Sequence, residues 1–330
     1  MDYRQAGVDV NAAERLVDRI KELVKRTQRP GVVGGIGLFG GLFDLQAANA
    51  SRRLVASTDG VGTKTIIASW ANRFDTIGEC LINHCVNDIA VLGAEPLFVL
   101  DTLATDRLVP ERDTQILEGI VRGCERNGIG LIGGETAELK DVIMPGQFDL
   151  GVTIIGYLPD DVPLLDGSRI EEGDELWGIS STGLHTNGYT LARKVLLEQE
   201  RLAPDEKMPN TNVTYSEALL AIHRSYLPEI RALRAFPEVH GFAHITGGGI
   251  VGNTKRLIKN SLSLEINWNS WQEPRIFQEI RTRGNVPEEA MRQAMNLGIG
   301  LVVIAKKDSK RRLQSEIPEV LFRIGKVIRS

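Results

Sequence analysis

Two prolines and two acids fall within five residues at Pro159-Asp160-Asp161-Val162-Pro163, between long apolar-patterned stretches. This segment constrains the chain's folding more than any other. Proline cannot donate to a sheet ladder or continue a helix, and adjacent acids resist burial, so the segment reads as a linker. At 330 residues the chain also exceeds what one core usually organises, since cores stop growing near about 250–300 residues. The expectation is two domains, 1–161 and 162–330.

In the first half, strand-like runs alternate with helical ones. Asn11 to about Gln28 has Leu16, Val17, Ile20, Leu23 and Val24 at helical spacing, with Asn11 as cap and Glu14 in the capping-box position. Pro30 ends it, and the glycine-rich stretch Gly34 to Gly41 follows. Arg53 to Thr58, Leu97 to Leu100, Gly128 to Ile132 and Val152 to Leu158 read as strands. Asp75 to Leu92 and Glu111 to Asn127 read as helices, stopped by Gly93 and Gly128. The second half opens with a strand, Glu175 to Ser180. A helix from about Asn187 to Glu200, another near Ser216 to Arg234, and a strand, Ile299 to Ala305, come after it. The fold class is α/β, of the α+β type.

Composition narrows the function. Hydrophobic residues make up 42% and charged residues 25%, as in a globular protein, and the net charge of -4 offers no long-range attraction to nucleic acid or an anionic membrane. Any phosphate must be bound locally. Cys80, Cys85 and Cys124 are an odd number without metal-ligand spacing, which fits a reducing compartment. No basic and apolar leader follows Met1, and no apolar run approaches the roughly 18 residues of a membrane span, so a cytoplasmic location is expected.

The strongest chemical motif is Ser57-Thr58-Asp59-Gly60-Val61-Gly62-Thr63-Lys64. A strand delivers Asp59, Gly60 and Gly62 allow close backbone approach, and Lys64 supplies a cation, a combination suited to a metal-bound polyphosphate. The bland alternative is a glycine turn with surface charges. No Walker A sequence occurs, so nucleotide binding must use another fold. Gly35-Ile36-Gly37-Leu38-Phe39-Gly40 matches Gly-x-Gly-x-x-Gly but follows a helix, which fails the Rossmann context. It is either a loop covering phosphates or a plain connection.

On the helix from Asp75, Ile77, Leu81, Cys85, Ile89 and Leu92 form an apolar stripe, with Asp88 inside it. An inward carboxylate needs a cation, several donors or a wet cleft, and a neighbouring helix terminus or an Arg would serve equally. His84, on the same stripe, reads as a packed core histidine. Asp59, Asp101 and Glu135, the last within Gly133-Gly134-Glu135-Thr136, each fall at an expected strand end; gathered together they would suit magnesium. In the second half, Ser180 to Gly188 and Thr246-Gly247-Gly248-Gly249 each precede an expected helix, offering backbone N–H groups to an anion or serving as ordinary caps. His185, among small polar residues, is a better functional candidate than His223, His240 or His244. A phosphate contact and proton transfer both suit it.

Tyr3-x-x-Ala6-Gly7-Val8-Asp9, the Gly34 to Gly41 loop, Asp59-Gly60-Val61-Gly62-Thr63-Lys64, Cys85-Val86-Asn87-Asp88, Gly93 to Phe98, Gly133 to Glu138, His185-x-Asn187-Gly188-Tyr189 and His244-x-Thr246-Gly247-Gly248-Gly249 resemble, in order and spacing, the AIR synthetase family. The likeness spans nearly the whole chain. It implies a homodimer whose N-terminal strands form a shared barrel, with a C-terminal mixed sheet flanked by helices. It also implies ATP, magnesium and potassium as a further ion, and ATP-dependent cyclisation of formylglycinamidine ribonucleotide to aminoimidazole ribonucleotide in purine biosynthesis.

By the same resemblance Asp59, Asp88 and Glu135 face magnesium. ATP meets Gly35, Gly37, Gly40, Gly41, Asp59, Gly60, Gly62, Thr63 and Lys64, with Asp101 a weaker candidate. His185, Asn187, Gly188, Thr246, Gly247, Gly248 and Gly249 face the phosphorylated substrate, and His185 and Lys64 are the catalytic candidates. Two departures stand out: Leu139-Lys140-Asp141 follows Glu138 where the family runs Met-Pro-Gly, which appears here only at Met144-Pro145-Gly146, and Leu297 replaces a Met or Cys. Selenophosphate synthetase and the hydrogenase-maturation dehydratase share the fold but need a terminal Cys or selenocysteine, whereas the cysteines here lie between positions 80 and 124. Thiamine-monophosphate kinase lacks the His185-x-Asn187-Gly188 loop.

Overall fold

Strict alternation of buried and open residues along Phe148–Tyr157 builds the first sheet: Phe148, Leu150, Val152 and Ile154 are buried while the residues between them are not. In this computed structural model, residues 20, 22–33, 42–49, 53–259 and 261–330 are described. Most of the expected N-terminal helix, the Tyr3 to Asp9 motif and the Gly34 to Gly41 loop lie outside them. Contacts divide the chain into two compact units, Met1–Val86 with Glu95–Pro159 and Asn87–Ala94 with Asp160–Ser330. The short segment from Asn87 therefore belongs with the second unit, which a single cut at 161 does not convey.

In the first unit, β1 (Val32–Val33) pairs antiparallel with β2 (Leu42–Phe43). A four-stranded sheet follows, ordered β3-β6-β4-β5, of β3 (Leu54–Gly60), β4 (Glu95–Thr105), β5 (Gly130–Glu138) and β6 (Phe148–Tyr157). β3 and β4 run antiparallel to β6, while β4 and β5 are parallel. A parallel pair needs a crossover, and α3 (Pro110–Asn127) supplies it, starting on Pro110 and stopping at Gly128 with φ 71°. The other helices are α1 (Lys64–Ala71) and α2 (Ile77–Ala90). α2 and α3 meet backbone to backbone: a Cβ on Gly78 would lie 2.2 Å from Ile116 O, and one on Gly119 2.8 Å from Asp75 O. Two helices approach this closely only where no side chain intervenes.

The second unit holds a five-stranded sheet ordered β8-β10-β7-β11-β9, of β7 (Glu175–Ser180), β8 (Val239–His244), β9 (Leu262–Ile266), β10 (Ile299–Ala305) and β11 (Phe322–Arg329). Every pairing in it is antiparallel. The mixed sheet expected in this half is thus found in the first unit, where the α3 crossover makes a parallel pair. All seven residues of β10 and all six of β8 are buried, which explains the unbroken apolar run of Ile299 to Ala305. Its core gathers Leu176, Ala243, Ile245, Ile250, Val302, Ile304, Ile324 and Val327.

Around this sheet lie α4 (Tyr189–Arg193), continued by a π-helical stretch Lys194–Gln199, then α5 (Tyr215–Leu219), α6 (Leu227–Leu233) and α7 (Gly249–Lys255). Beyond them come α8 (Arg275–Arg283), α9 (Glu288–Ala294) and α10 (Lys310–Glu316). The single helix expected near Ser216 to Arg234 is in fact α5 and α6. Pro228 has no N–H to continue a helix through it and sits instead in the first turn of α6. Residues 220–226, between the two, carry His223 and Tyr226.

Candidate functional site

In the first unit, Asp59 lies near the end of β3. Its Oδ2 is 2.8 Å from His84 Nε2 on α2, and its Oδ1 accepts the Gly60 N–H at 2.7 Å. His84 is buried, as expected of a core histidine, but it is also the partner of the motif's carboxylate. Gly62 needs its freedom, with φ 54° and open space where a Cβ would stand.

Asp101 and Glu135 are not at strand ends. β4 and β5 run on to Thr105 and Glu138, because the alternation of Leu103, Ala104 and Thr105 keeps one face buried. Across the sheet, Asp59 is level with Val152, Val152 with Asp101, and Asp101 with Gly134, so these side chains share one face. Two strand spacings separate Asp59 from Asp101, about 10 Å. Glu135 is level with Thr102 and Gly151, one step along, and projects from the other face. The first unit therefore does not gather Asp59, Asp101 and Glu135 into one cluster.

Burial pushes the Asp101 carboxyl up from 3.8 to about 7, and the neighbouring Glu135 charge adds to the rise. Its Oδ1 occupies the space beside Gly134, where a Cβ would come within 2.0 Å. Lys64 also departs from expectation. It is fully buried in the first turn of α1, with Nζ donating to Cys80 Sγ at 3.1 Å. In this arrangement its ammonium is enclosed by the protein.

In the second unit the site is built on the loop after β7. His185 adopts φ 64°, a left-handed conformation unusual for a residue with a side chain and often stored at functional positions. Its Nε2 accepts the Thr182 N–H at 3.2 Å, and its carbonyl lies 3.1 Å from the Tyr189 hydroxyl. Gly300 on β10 leaves it room: a Cβ there would fall 2.6 Å from His185 Cε1 and 2.0 Å from Tyr226 Oη.

The His185 ring stacks on His223, centroids 3.9 Å apart and planes within 16°. From His223 the contacts continue. Its Nε2 is 3.2 Å from Asn87 Nδ2 and 3.1 Å from His244 Nε2, its Nδ1 is 3.4 Å from Thr186 Oγ1, and His244 Nδ1 is 2.7 Å from Asp88 Oδ1. His185, His223 and His244 are all buried, while the Asp88 side chain keeps 25% exposure. The inward carboxylate of the α2 stripe thus has histidine as a partner. The sequence offered a helix terminus, an Arg or a cation.

The second glycine loop is held by Asn253. Its Nδ2 donates to the carbonyls of Thr246, Gly247 and Gly249 at 3.2, 3.3 and 2.9 Å, and its Oδ1 accepts from the Thr246 hydroxyl. The loop's N–H groups are partly spent: Gly248 donates to Gln293 O and Gly249 to Thr246 O. Gly249 touches the Arg292 carbonyl, where a Cβ would stand 1.9 Å away, and a Cβ on Gly247 would lie 3.1 Å from Asn187 Oδ1. The two loops named from sequence, around Asn187 and around Gly247, are therefore neighbours.

Sequence reasoning placed Asn87 and His244 in family motifs without giving them a role, ranked His223 below His185, and did not name Asn253. The position of His244 two residues before Thr246 was a usable signal. For His223 there was none, because it lies in the irregular stretch between α5 and α6, where periodicity is silent.

Comparison with known proteins decides the family. Residues 40–158 match the model for AIR synthase related protein, N-terminal domain, and residues 171–330 match its C-terminal domain. The chain belongs to the AIR synthase family. A phosphoribosylformylglycinamidine cyclo-ligase of Syntrophotalea carbinolica is 44% identical, over 100% of this chain and 95% of its own length. One from Xanthomonas euvesicatoria is 43% identical over 99% and 97%. Among solved structures, the hydrogenase maturation protein HypE of E. coli superposes with a TM-score of 0.69 at 18% identity, covering 96% of this chain and 92% of that one. That last likeness carries the AIR synthase fold alone. Within the family's two domains, the carboxylate Asp59 lies in the N-terminal match, and the histidine array from His185 to His244 in the C-terminal one.

Proposed function

We propose that this chain closes the imidazole ring in purine biosynthesis, converting formylglycinamidine ribonucleotide to aminoimidazole ribonucleotide as ATP becomes ADP and phosphate. The observation that carries this reading is the 44% identity along the entire chain to a protein named for that reaction. The enzyme is a ligase that uses ATP and acts on a small phosphorylated substrate.

Chemically, the formyl amide oxygen attacks the γ-phosphorus, and the bond to the ADP oxygen breaks. The amide carbon, now bearing a phosphate leaving group, is attacked by the amidine-side nitrogen. A carbon–nitrogen bond forms, phosphate departs with the former formyl oxygen, and the nitrogen loses its proton. Positioning and electrostatics suffice for such a transfer, so no protein nucleophile is needed.

His185 is assigned to the substrate. With Nε2 accepting from Thr182, its neutral ring carries the proton on Nδ1, which can donate to a ribose phosphate or take part in the nitrogen's proton loss. Asn187, Gly188 and the Thr246 to Gly249 loop complete that contact. Because the Gly248 and Gly249 N–H groups are occupied within the fold, the Asn187 amide and the Gly247 N–H are the donors proposed.

Gly60, Gly62 and Thr63, with Gly35, Gly37, Gly40 and Gly41, are assigned to the ATP phosphates, and Asp101 to their surroundings. Lys64 is left to hold α1 against Cys80. Asp59, Asp88 and Glu135 are assigned to magnesium. All three are hard oxygen donors; Asp59 and Asp88 retain 46% and 25% side-chain exposure and Glu135 is exposed, so each can meet a hydrated cation. Since Asp59 and Glu135 project from opposite faces of their sheet, they serve separate ions. When bound, magnesium neutralises phosphate charge, with potassium as a further ion.

The same reading makes the protein a cytoplasmic homodimer. No described helix is long and apolar enough to cross a membrane, and Leu54, 54% exposed on the uncovered face of the first sheet, is a natural contact for a second copy. Incubation of purified protein with ATP, magnesium and formylglycinamidine ribonucleotide tests the reaction: ADP and aminoimidazole ribonucleotide are expected in equal amounts, and ADP without the imidazole product would overturn it.

A further inference from the structure

We propose that His223 is a positioning residue for ring closure, acting through His185. The inference rests on the assignment of His185 to the substrate. It starts from proton bookkeeping in the buried array of the second unit. The Asn87 amide has only one consistent orientation: Oδ1 accepts the Tyr226 N–H at 2.7 Å and Nδ2 donates to the Arg224 carbonyl at 2.9 Å. Its remaining amide proton faces His223 Nε2 at 3.2 Å. An amide NH2 only donates, so His223 Nε2 must be a lone pair.

Three consequences follow for the ring. The proton of neutral His223 sits on Nδ1, toward Thr186 Oγ1 at 3.4 Å. His244 Nε2 lies 3.1 Å from the same atom, with its own Nδ1 against the Asp88 carboxylate at 2.7 Å. The plane of His223 is thereby fixed from both edges, by Asn87 and His244 on one side and Thr186 on the other. His223 is itself fully buried, so no solvent exchange loosens these contacts.

That fixed plane is the platform for His185. The two rings lie 3.9 Å apart at 16°, and the Thr182 N–H holds His185 from its Nε2 edge. His185 otherwise sits on a left-handed backbone in a loop rich in small residues, with Gly300 leaving room for its ring and the Tyr226 ring 6.1 Å away. Face-on packing against an immobilised ring converts this loop histidine into one with a single orientation. A displaced acid–base or binding group loses reaction rate steeply, by about 100-fold for 1 Å.

Two variants separate the ring from its lone pair. His223→Gln keeps an acceptor near the Nε2 position but removes the aromatic face, and His223→Phe keeps the face but leaves the Asn87 donor unmet and His244 without its contact. For His223→Gln, kcat should fall about 10- to 100-fold with the KM for ATP unchanged and the melting temperature close to wild type. For His223→Phe, kcat should recover most of that loss at a temperature where the variant is folded, although its melting temperature drops.

Wild-type kcat in His223→Gln, or no recovery in folded His223→Phe, overturns the positioning role. His185→Ala, measured alongside, tells the two failures apart. A large loss in His185→Ala with a normal rate in His223→Gln refutes positioning alone. Normal rates in both refute the assignment of His185 and the proposal with it.

Discussion

Asp101 is an acid held where an acid is costly: buried in mid-strand beside Val152, with Glu135 adding like charge. Its folded-state value of about 7 lies above the 3.8 of a free carboxyl, so the folded protein holds this proton more tightly than the unfolded chain. A raised value of this kind leaves stability intact below about pH 4, and the stability is lost as pH rises through 7. Asp101→Asn removes the titration and nearly keeps the shape. Compared by denaturant unfolding at pH 5 and pH 8, the variant should gain on wild type at the higher pH, with a ceiling on the order of 3 kcal/mol for the roughly two pKa units between pH 5 and 7. An unchanged difference between the two pH values would show that Asp101 is not the titrating group. At this scale the sequence was only partly informative. It marked Asp59, Asp88 and His185, but not the fact that Lys64 turns inward to Cys80 or that Asp88 meets His244, because such pairings join residues 16 and 156 apart in the chain.

Among the elements, the Thr246 to Gly249 loop is shaped by a side chain from the helix it leads into. Asn253 on α7 reaches three of the loop's carbonyls. Asn253→Ala deletes these bonds without altering the loop's own sequence. The KM for the nucleotide substrate should rise by about 10-fold or more, while the KM for ATP stays near wild type, as steady-state kinetics would show; each lost bond within a buried network is worth about 0.5–1.5 kcal/mol. A rise in the ATP KM alone would place the loop at the other ligand. Elements with long, regular patterns were legible from sequence: Glu175–Ser180 and Ile299–Ala305 have the boundaries expected, and α2 and α3 lie within two residues of theirs. β8, β9 and β11 were not anticipated. β8 and β9 are short strands of five or six residues, and β11 carries Arg323, Lys326 and Arg329 among its apolar positions, which obscures the pattern. The one-helix reading of 216–234 failed because the apolar spacing continues across the break that Pro228 imposes.

For the whole molecule, the linker at Pro159 to Pro163 told of two units, but no sequence pattern told that Asn87–Ala94 would cluster with the second. Glycine placement explains much of what held. Gly78 and Gly119 let two helices touch, and Gly300 makes room for Tyr226 and His185. The homodimer proposal is tested at this scale. Sedimentation at micromolar concentration should give a dimer, and Leu54→Lys, a charge placed on the uncovered sheet face, should shift it toward monomer; a monomeric wild type would refute the pairing. The central claim is that ATP activates the substrate's own amide oxygen as the leaving group. The direct measurement is turnover of formylglycinamidine ribonucleotide labelled with 18O in its formyl oxygen. One labelled oxygen is expected in each inorganic phosphate released, whereas label appearing in water, with unlabelled phosphate, would contradict the account.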